Sequence, residues 1–423
     1  MLDGAEGPAK QKAMDLLVRY GEALGAENFV DVTNIAGVPG SSTMFLHEYY
    51  KEHGGGSFED VFSRFDLDSD ESVPFPKVGG NCCHLQGGMD PELWGQQGMS
   101  RGAFEHQQQD EAELVRHGVK LLKTCTPYLA GAMPKFGEHC AWMESSAVVF
   151  CNSVLGARTN TEGRESTGAA MLTGRIPYWG YHLDQNRHAT HVVELDIEVE
   201  SVQDWGLLGY YIGEHVQERV PVVHSRRGIS RVPNLPRLKH FGAAASSSGG
   251  VEMYHIAGVT PEALTLEQAL GARAPVEVLR YGEAERRATY EKINITARDA
   301  EVQYVMLGCP HYTIEQIWEA AQLIEGRKVH PDCELWIFTP RAIKALADRN
   351  GYTKIIEDAG GIIMGDSCSA MSRAVPKGTK TVALDSAKQA HYLPAILGVQ
   401  AWFGSTAECI DAACTGRWNG GYA

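Results

Sequence analysis

Short unbroken apolar runs alternate with stretches whose apolar residues recur every three or four positions, most cleanly after residue 301. VQYVMLG reads as a strand, and TIEQIWEAAQLIEGRK as a helix opened by Thr313, with Gln316 at capping-box spacing. ELWIFT is a second strand, followed by the helix PRAIKALADRNG, which has Pro340 near its first turn and Gly351 past its end. GGIIMG, TVALD and VQAWFG read as further strands and STAECIDAAC as a closing helix. Strands alternating with helices of this length build βαβ units and a parallel sheet, so the fold class is α/β.

The rest of the chain is less regular. Residues 1–25 form an amphipathic helix ending at Gly25, and FVDVTNIAGV leads as a strand into the turn GVPGSS. The Asp- and Ser-rich segment FEDVFSRFDLDSDESVP reads as an exposed, loop-rich excursion. AELVRHGVKLLKT joins a helix end to a strand that delivers Cys125. Between residues 126 and 300, Gly-rich loops separate HVVELDIEVE, which alternates like a half-buried strand, from runs such as WGLLGYYIGEHV. HSRRGISRVPNLPRLKH is basic and turn-rich, and FGAAASSSGG supplies small residues where backbones pack closely. These shifts divide the chain at 1–125, 126–300 and 301–423, a length that allows two or three domains, with no internal repeat.

Composition narrows the function. A net charge of −15 over 423 residues argues against nucleic acid or an anionic membrane as the main partner. No apolar stretch approaches the roughly 20 residues that span a bilayer, and the start lacks a signal-peptide core. Ten cysteines without an export signal imply a reducing compartment, hence a cytoplasmic enzyme with thiols free for metal or catalysis.

Several familiar signatures fail. His47 and His53 flank Glu48 but lie six apart, too far to share one helix face as a zinc-protease pair does. Cys82 and Cys83 are adjacent, and there is no CxxC, GxGxxG, GxxxxGK[ST] or GxSxG. His182, His188 and His191 cluster in GYHLDQNRHATH, where structural roles suit His188 and His191.

Three cysteines stand out because each closely follows an apolar strand-like run: Cys125 in CTPY, Cys309 in GCPHY and Cys368 in DSCSAMS. Strand ends are where ligands gather in α/β proteins, and three thiolates with an open fourth position suit a catalytic iron–sulfur cluster. A single structural zinc is the competing use of the same three. Cys140, Cys151, Cys333, Cys409 and Cys414 sit in apolar or helical patterns and read as core. WMESSAVVFCNSVLGARTNTEG packs Glu144, Ser145, Ser146, Asn152, Ser153, Arg158, Thr159 and Asn160 around a small apolar stretch, a composition suited to gripping a carboxylate or phosphate. In LDSAKQAHY, Ser386 starts a helix with Lys388 in its first turn; with His311 these are the candidate catalytic side chains.

The blocks CTPYLAGAMPKFGEHCAWMESSAVVFCNSVLGARTN, TGRIPYWGYHLDQNRHATH, IAGVTPEALTLEQAL, LGCPHYTIEQI and DSAKQAHYLPAILGVQAWFGS closely resemble the large subunit of the aconitase X family. The resemblance implies an aconitase-like fold of three α/β domains, with mainly parallel sheets around a central iron–sulfur cleft. It maps the cluster ligands onto Cys125, Cys309 and Cys368, with [4Fe–4S] favoured over [2Fe–2S] and [3Fe–4S]. The implied activity is that of a hydro-lyase, a carbon–oxygen lyase dehydrating a small hydroxy acid, with the catalytic base on a separate small swivel-domain subunit. ARTNTEG followed by GYHLDQNR looks more like the 5-phosphomevalonate dehydratase branch than the cis-3-hydroxy-L-proline dehydratase branch. VGGNCCHLQGGMD departs from the family's pattern in a loop expected near the substrate, and the acidic segment looks like an insertion. A non-catalytic relative that binds a metabolite or partner in the same cleft is the alternative of another class.

Overall fold

The computed structural model describes residues 1–40, 43–53, 56–85, 88–226, 228–229 and 232–422, with the side chains of residues 43–47 outside the description. The chain folds as two compact units, Met1–Arg187 and His188–Ala423.

The first unit holds β1 (Phe29–Asp31), β2 (Asn34–Gly37), β3 (Asn81–His84), β4 (Lys120–Leu121), β5 (Cys140–Trp142) and β6 (Arg175–Pro177). β4, β3, β2 and β5 lie in that order in one sheet, every neighbour parallel, while β1 and β6 pair antiparallel. All four residues of β2 are buried, as befits a parallel strand covered on both faces. The helix Pro8–Leu24 ends at Gly25, whose φ of 70° is the left-handed conformation a helix C-terminus favours. Its buried Ala9, Ala13, Leu16 and Leu17 recur at helical spacing and join Val32, Ile35, Phe58, Phe62 and Phe75 in the core.

Three expectations need correction here. The acidic excursion is not a loop: Phe58–Asp66 is a helix with Phe58, Val61 and Phe62 buried. Ser57 Oγ accepts from the Asp60 amide at 3.1 Å and Asp60 Oδ2 from the Ser57 amide at 3.0 Å, closing a capping box. The apolar spacing of Phe58, Val61, Phe62 and Phe65 outweighs the charge around it, and Phe62 packs edge-on against Phe75 at 4.5 Å. The divergent segment at 79–90 is not loop throughout: it contains interior strand β3, with Cys82, Cys83 and His84 buried; residues 86 and 87 lie outside the described residues. The boundary expected after residue 125 would divide a sheet, because β5 pairs with β2; the unit ends at Arg187.

The second unit carries two parallel sheets. β7 (His191–Leu195), β8 (Pro221–His224), β9 (His255–Ile256) and β10 (Glu277–Tyr281) are ordered β10-β7-β8-β9. β11 (Tyr304–Leu307), β12 (Glu334–Thr339), β13 (Ile362–Gly365), β14 (Thr381–Leu384) and β15 (Gln400–Phe403) are ordered β13-β12-β11-β14-β15. The predicted strands and helices after residue 301 are all present, with Thr313 and Gln316 forming the expected capping box. From β11 the chain steps outward through β12 to β13, then returns to the other side of β11 as β14. Loops leaving β11 and β14 therefore diverge and open a crevice at the carboxyl edge, the usual ligand position in such sheets.

WGLLGYYIGEHV lies within the helix Val202–Val216, and FGAAASSSGG lies mostly within Leu235–Gly249; these two helices press backbone to backbone. A Cβ on Gly213 would stand 2.5 Å from the Ala245 carbonyl oxygen and 2.0 Å from Ser248 Oγ. Gly213→Ala should therefore destabilise the protein by about 1–3 kcal/mol, because overpacking outweighs the roughly 1 kcal/mol that alanine gains as a helix former. A lowered denaturant midpoint at unchanged slope would register it.

Candidate active site

One of the anticipated cysteines sits at the crevice between β11 and β14, and a second lies near it. β11 ends at Leu307, and Gly308 (φ 97°) turns the chain so tightly that a Cβ there would sit 2.1 Å from the Phe338 carbonyl oxygen. Cys309 follows, buried, and its Sγ accepts a hydrogen bond from Gln389 Nε2 at 3.0 Å. Cys368, half-buried beyond β13, is near enough to Cys309 for their charges to interact. Burial first and the neighbouring thiol second push the Cys368 thiol up to about 11; the amides of Met371 and Ala370 and the charge of Lys388 pull the other way.

Residues 309–312 are pinned from several sides. Lys239 Nζ donates to the Pro310 carbonyl at 2.8 Å, and His311 Nε2–H donates to the Ser367 carbonyl at 2.7 Å. The Tyr312 hydroxyl donates to Asp385 Oδ2 at 2.5 Å, where Thr406 also donates at 3.1 Å, and Thr339 Oγ1 donates to the Tyr312 carbonyl at 2.8 Å. Asp385, Tyr312 and Lys239 are all buried; burial raises the pKa of Asp385 to about 6, partly opposed by the Tyr312 hydrogen bond and the Lys239 charge. None of Lys239, Tyr312, Asp385 and Gln389 was anticipated. A lysine inside LPRLKHFGA and a carboxylate directly after TVAL are charges at positions that the surrounding pattern buries, and that was the available signal.

The anticipated catalytic residues Ser386, His311 and Lys388 occupy this edge, each with contacts of its own. Ser386 is buried and caps the helix Ala387–Leu397, its Oγ accepting from the Gln389 amide at 3.2 Å. Burial lowers the pKa of His311 to about 4, leaving a neutral imidazole that ties the Cys309 loop to the Cys368 loop and is a weak base. Lys388 is half-buried and electrostatically linked to Cys368.

The first unit carries the other candidates. Cys125 is half-buried at the carboxyl end of β4, in a loop where the Thr124 and Thr126 hydroxyls lie 2.9 Å apart and the Thr126 amide donates to Thr124 Oγ1 at 3.0 Å. Glu144 caps the helix Ser145–Phe150 through the Ala147 amide at 2.8 Å; Ser146 and Ser153 are buried, and a turn of π-helix follows over Cys151–Leu155. Asn152, Thr159 and Asn160 bond chiefly to their own fold. Asn152 bridges the Thr159 backbone and receives Arg187 Nη1, Thr159 Oγ1 accepts the Trp142 amide, and Asn160 holds the Tyr181 amide. Arg158 pairs with Asp184 and donates to the His182 carbonyl at 2.9 Å. Cys140, Cys151, Cys333 and Cys409 are buried as expected, while Cys414 is half-buried. Among the described residues no three His, Cys, Asp or Glu side chains gather as metal ligands; the second unit brings together a pair.

Parallel sheets, with Cys309 on the loop that leaves β11 at a topological switch point, together with the structural neighbour below define an α/β protein of the aconitase-like class. The sequence matches the aconitase X first domain over residues 1–185, the second over 189–291 and the third over 302–415, and the chain belongs to the aconitase X family. It is 36% identical to the phosphomevalonate dehydratase large subunit of Methanocaldococcus jannaschii, covering 97% of each chain. It is 33% identical to the cis-3-hydroxy-L-proline dehydratase of Hypocrea jecorina, covering 99% of this chain and 68% of that one. Aconitase X of Thermococcus kodakaraensis, solved in its holo-form, superimposes with a TM-score of 0.80 at 32% identity, covering 97% of each chain.

Proposed function

We propose that this chain is the large subunit of an iron–sulfur hydro-lyase that removes water from a small hydroxy acid, (R)-5-phosphomevalonate ahead of cis-3-hydroxy-L-proline. The observation that carries the reading is the Cys309–Cys368 pair at the switch point, in a chain alike along its length to dehydratase large subunits.

The donor set of the second unit fits an iron–sulfur group. A side-chain N–H already points at the Cys309 sulfur, Cys368 lies near enough for its charge to be felt there, and backbone amides with the Lys388 charge partly offset the burial of the Cys368 thiol. Cys309 and Cys368 would be ligands, with Cys125 of the first unit as the third. When bound, such a cluster supplies an iron that acts as a Lewis acid toward a departing hydroxyl.

The chain's own residues have narrower tasks. Lys388 offers a cation to an acidic group of the substrate, and Glu144, Ser145, Ser146, Ser153 and Arg158 are assigned to gripping the substrate, on the scaffold of Asn152, Thr159 and Asn160. Ser386 and His311 hold the sulfur-bearing loops, a reassignment from catalysis supported by a buried capping hydroxyl and a strongly lowered imidazole. Neither is a good base at neutral pH, which supports a base on a small swivel-domain subunit. Ten free cysteines support a reducing, cytoplasmic setting, and no described helix is long and apolar enough to cross a membrane.

The test is turnover. The chain, reconstituted anaerobically with iron and sulfide and mixed with an aconitase X small subunit, should dehydrate (R)-5-phosphomevalonate faster than cis-3-hydroxy-L-proline. The reverse order would move it to the other branch. An iron-loaded protein inert toward both would point to the binding-only alternative.

A further inference from the structure

The side chain of Gln389 does something its position does not require. It is the third residue of the helix Ala387–Leu397, where a glutamine ordinarily reaches back to the amide of the capping residue. Ser386 performs its half of that exchange by accepting from the Gln389 amide at 3.2 Å. The glutamine side chain does not return the contact. Its Nε2 donates instead to Cys309 Sγ at 3.0 Å, 80 residues away in sequence.

The other end of the amide is unmatched. Gln389 is 3% exposed, and its Oε1 has no hydrogen-bond partner among the described residues. A buried polar atom left so costs about 1–3 kcal/mol, which makes it a marker for a missing partner. Rotating the amide by half a turn does not remove the problem. It would set an oxygen against a sulfur that, as a thiolate, can only accept, and it would leave the NH2 group stranded. The orientation with N–H on sulfur is the one the chemistry prefers, and the carbonyl oxygen then faces no donor among the described residues.

We propose that Gln389 is a two-ended positioning residue: its N–H holds the Cys309 sulfur and its Oε1 accepts a hydrogen bond from the hydroxyl of a bound hydroxy acid. The inference rests on the iron–sulfur reading above and adds a residue-level link between the sulfur ligand and the substrate. Lys388, one residue before, offers the acidic end of the same ligand a cation. Hydrogen bonds to ligand sulfurs are among the factors that set a cluster's reduction potential, so the two ends of Gln389 have separable readouts.

The experiment compares wild-type, Gln389→Leu and Gln389→Glu full-length chains, each reconstituted with iron and sulfide. Iron per chain, the midpoint potential of the cluster and calorimetric binding of (R)-5-phosphomevalonate and cis-3-hydroxy-L-proline are measured for each. Both variants should hold wild-type iron and shift to lower potential, because each lacks the N–H. Gln389→Leu should also bind whichever acid the wild type binds about tenfold more weakly, the loss expected of one hydrogen bond. Gln389→Glu, which keeps an acceptor oxygen, should lose less. A loaded Gln389→Leu chain with wild-type potential and affinity would overturn this proposal alone. A wild-type chain that takes up no iron would remove the cluster reading and this proposal with it. Should leucine disturb loading, the near-isosteric glutamate variant carries the comparison of potentials.

Discussion

Cys309→Ser and Cys368→Ser should each abolish iron loading while the protein stays folded, and Cys125→Ser should do the same. Serine keeps the shape and removes the soft thiolate that iron–sulfur clusters require. The structural cost is small because serine is close to cysteine in size. Cys333→Ser is the matched control. It is buried in the same unit, its thiol is pushed up to about 12 chiefly by burial, and it contacts its own backbone region through the Glu334 carbonyl. That variant should keep full iron. Iron and sulfide per chain, measured beside the circular-dichroism melting curve, separate ligand loss from unfolding. Full iron in Cys309→Ser would end the cluster reading outright. Full iron in Cys125→Ser alone would mean that the third ligand lies elsewhere.

How legible the fold was depended on how the chain uses charge. After residue 301 the elements alternate strictly, and each strand is a continuous apolar run because parallel strands are covered on both faces. Capping residues such as Thr313 and Ser405 mark the helix starts, so the pattern and the structure agree there. Phe58–Asp66 went unread because Glu59, Asp60 and the acidic residues that follow the helix dominate the composition, while its apolar stripe is only nine residues long. β3 went unread because NCCH is too short to show any period, and only pairing with β2 and β4 makes it a strand. In the candidate site, Cys309 and Cys368 were picked out by strand-end position, and Ser386 and Lys388 by a helix start. Gln389, Lys239, Tyr312 and Asp385 were not, because their partners lie between 73 and 80 residues away in sequence for Gln389, Tyr312 and Asp385 and 71 away for Lys239. Tertiary contacts of that range leave no trace in local spacing.

Asp110→Asn should stabilise the first unit at pH 8 by about 2–3 kcal/mol and lose that advantage as the pH falls toward 4. Asp110 is buried on the helix Arg101–Arg116, where its Oδ1 accepts from the Tyr50 hydroxyl at 3.4 Å and its Oδ2 has no partner among the described residues. Burial pushes its carboxyl up to about 7; the Tyr50 hydrogen bond and the Lys123 charge oppose this, and Glu111 and Glu113 reinforce it. In the unfolded chain the same carboxyl titrates near 3.9. Above pH 7 both states are ionised, and the folded one carries the full desolvation penalty, about 4 kcal/mol for roughly three pH units at 1.36 kcal/mol each. Between pH 7 and 4 the folded state binds the proton more tightly than the unfolded state, so stability rises as the pH falls and the penalty fades. Asparagine carries no charge at any pH and keeps an acceptor for Tyr50, but its amide N–H group lacks an acceptor, which takes back about 1 kcal/mol. His182 in the same unit has the opposite sign. Burial, the nearby His139 and two arginines lower it to about 3, so its proton is excluded from the fold and stability drains as the pH drops below 6.5. The Asp110→Asn difference is therefore best read against wild type at each pH, which cancels the histidine contribution. Denaturant titrations at pH 8, 6 and 4 decide it: a gap that stays constant across the three would mean that Asp110 is ionised in the fold throughout.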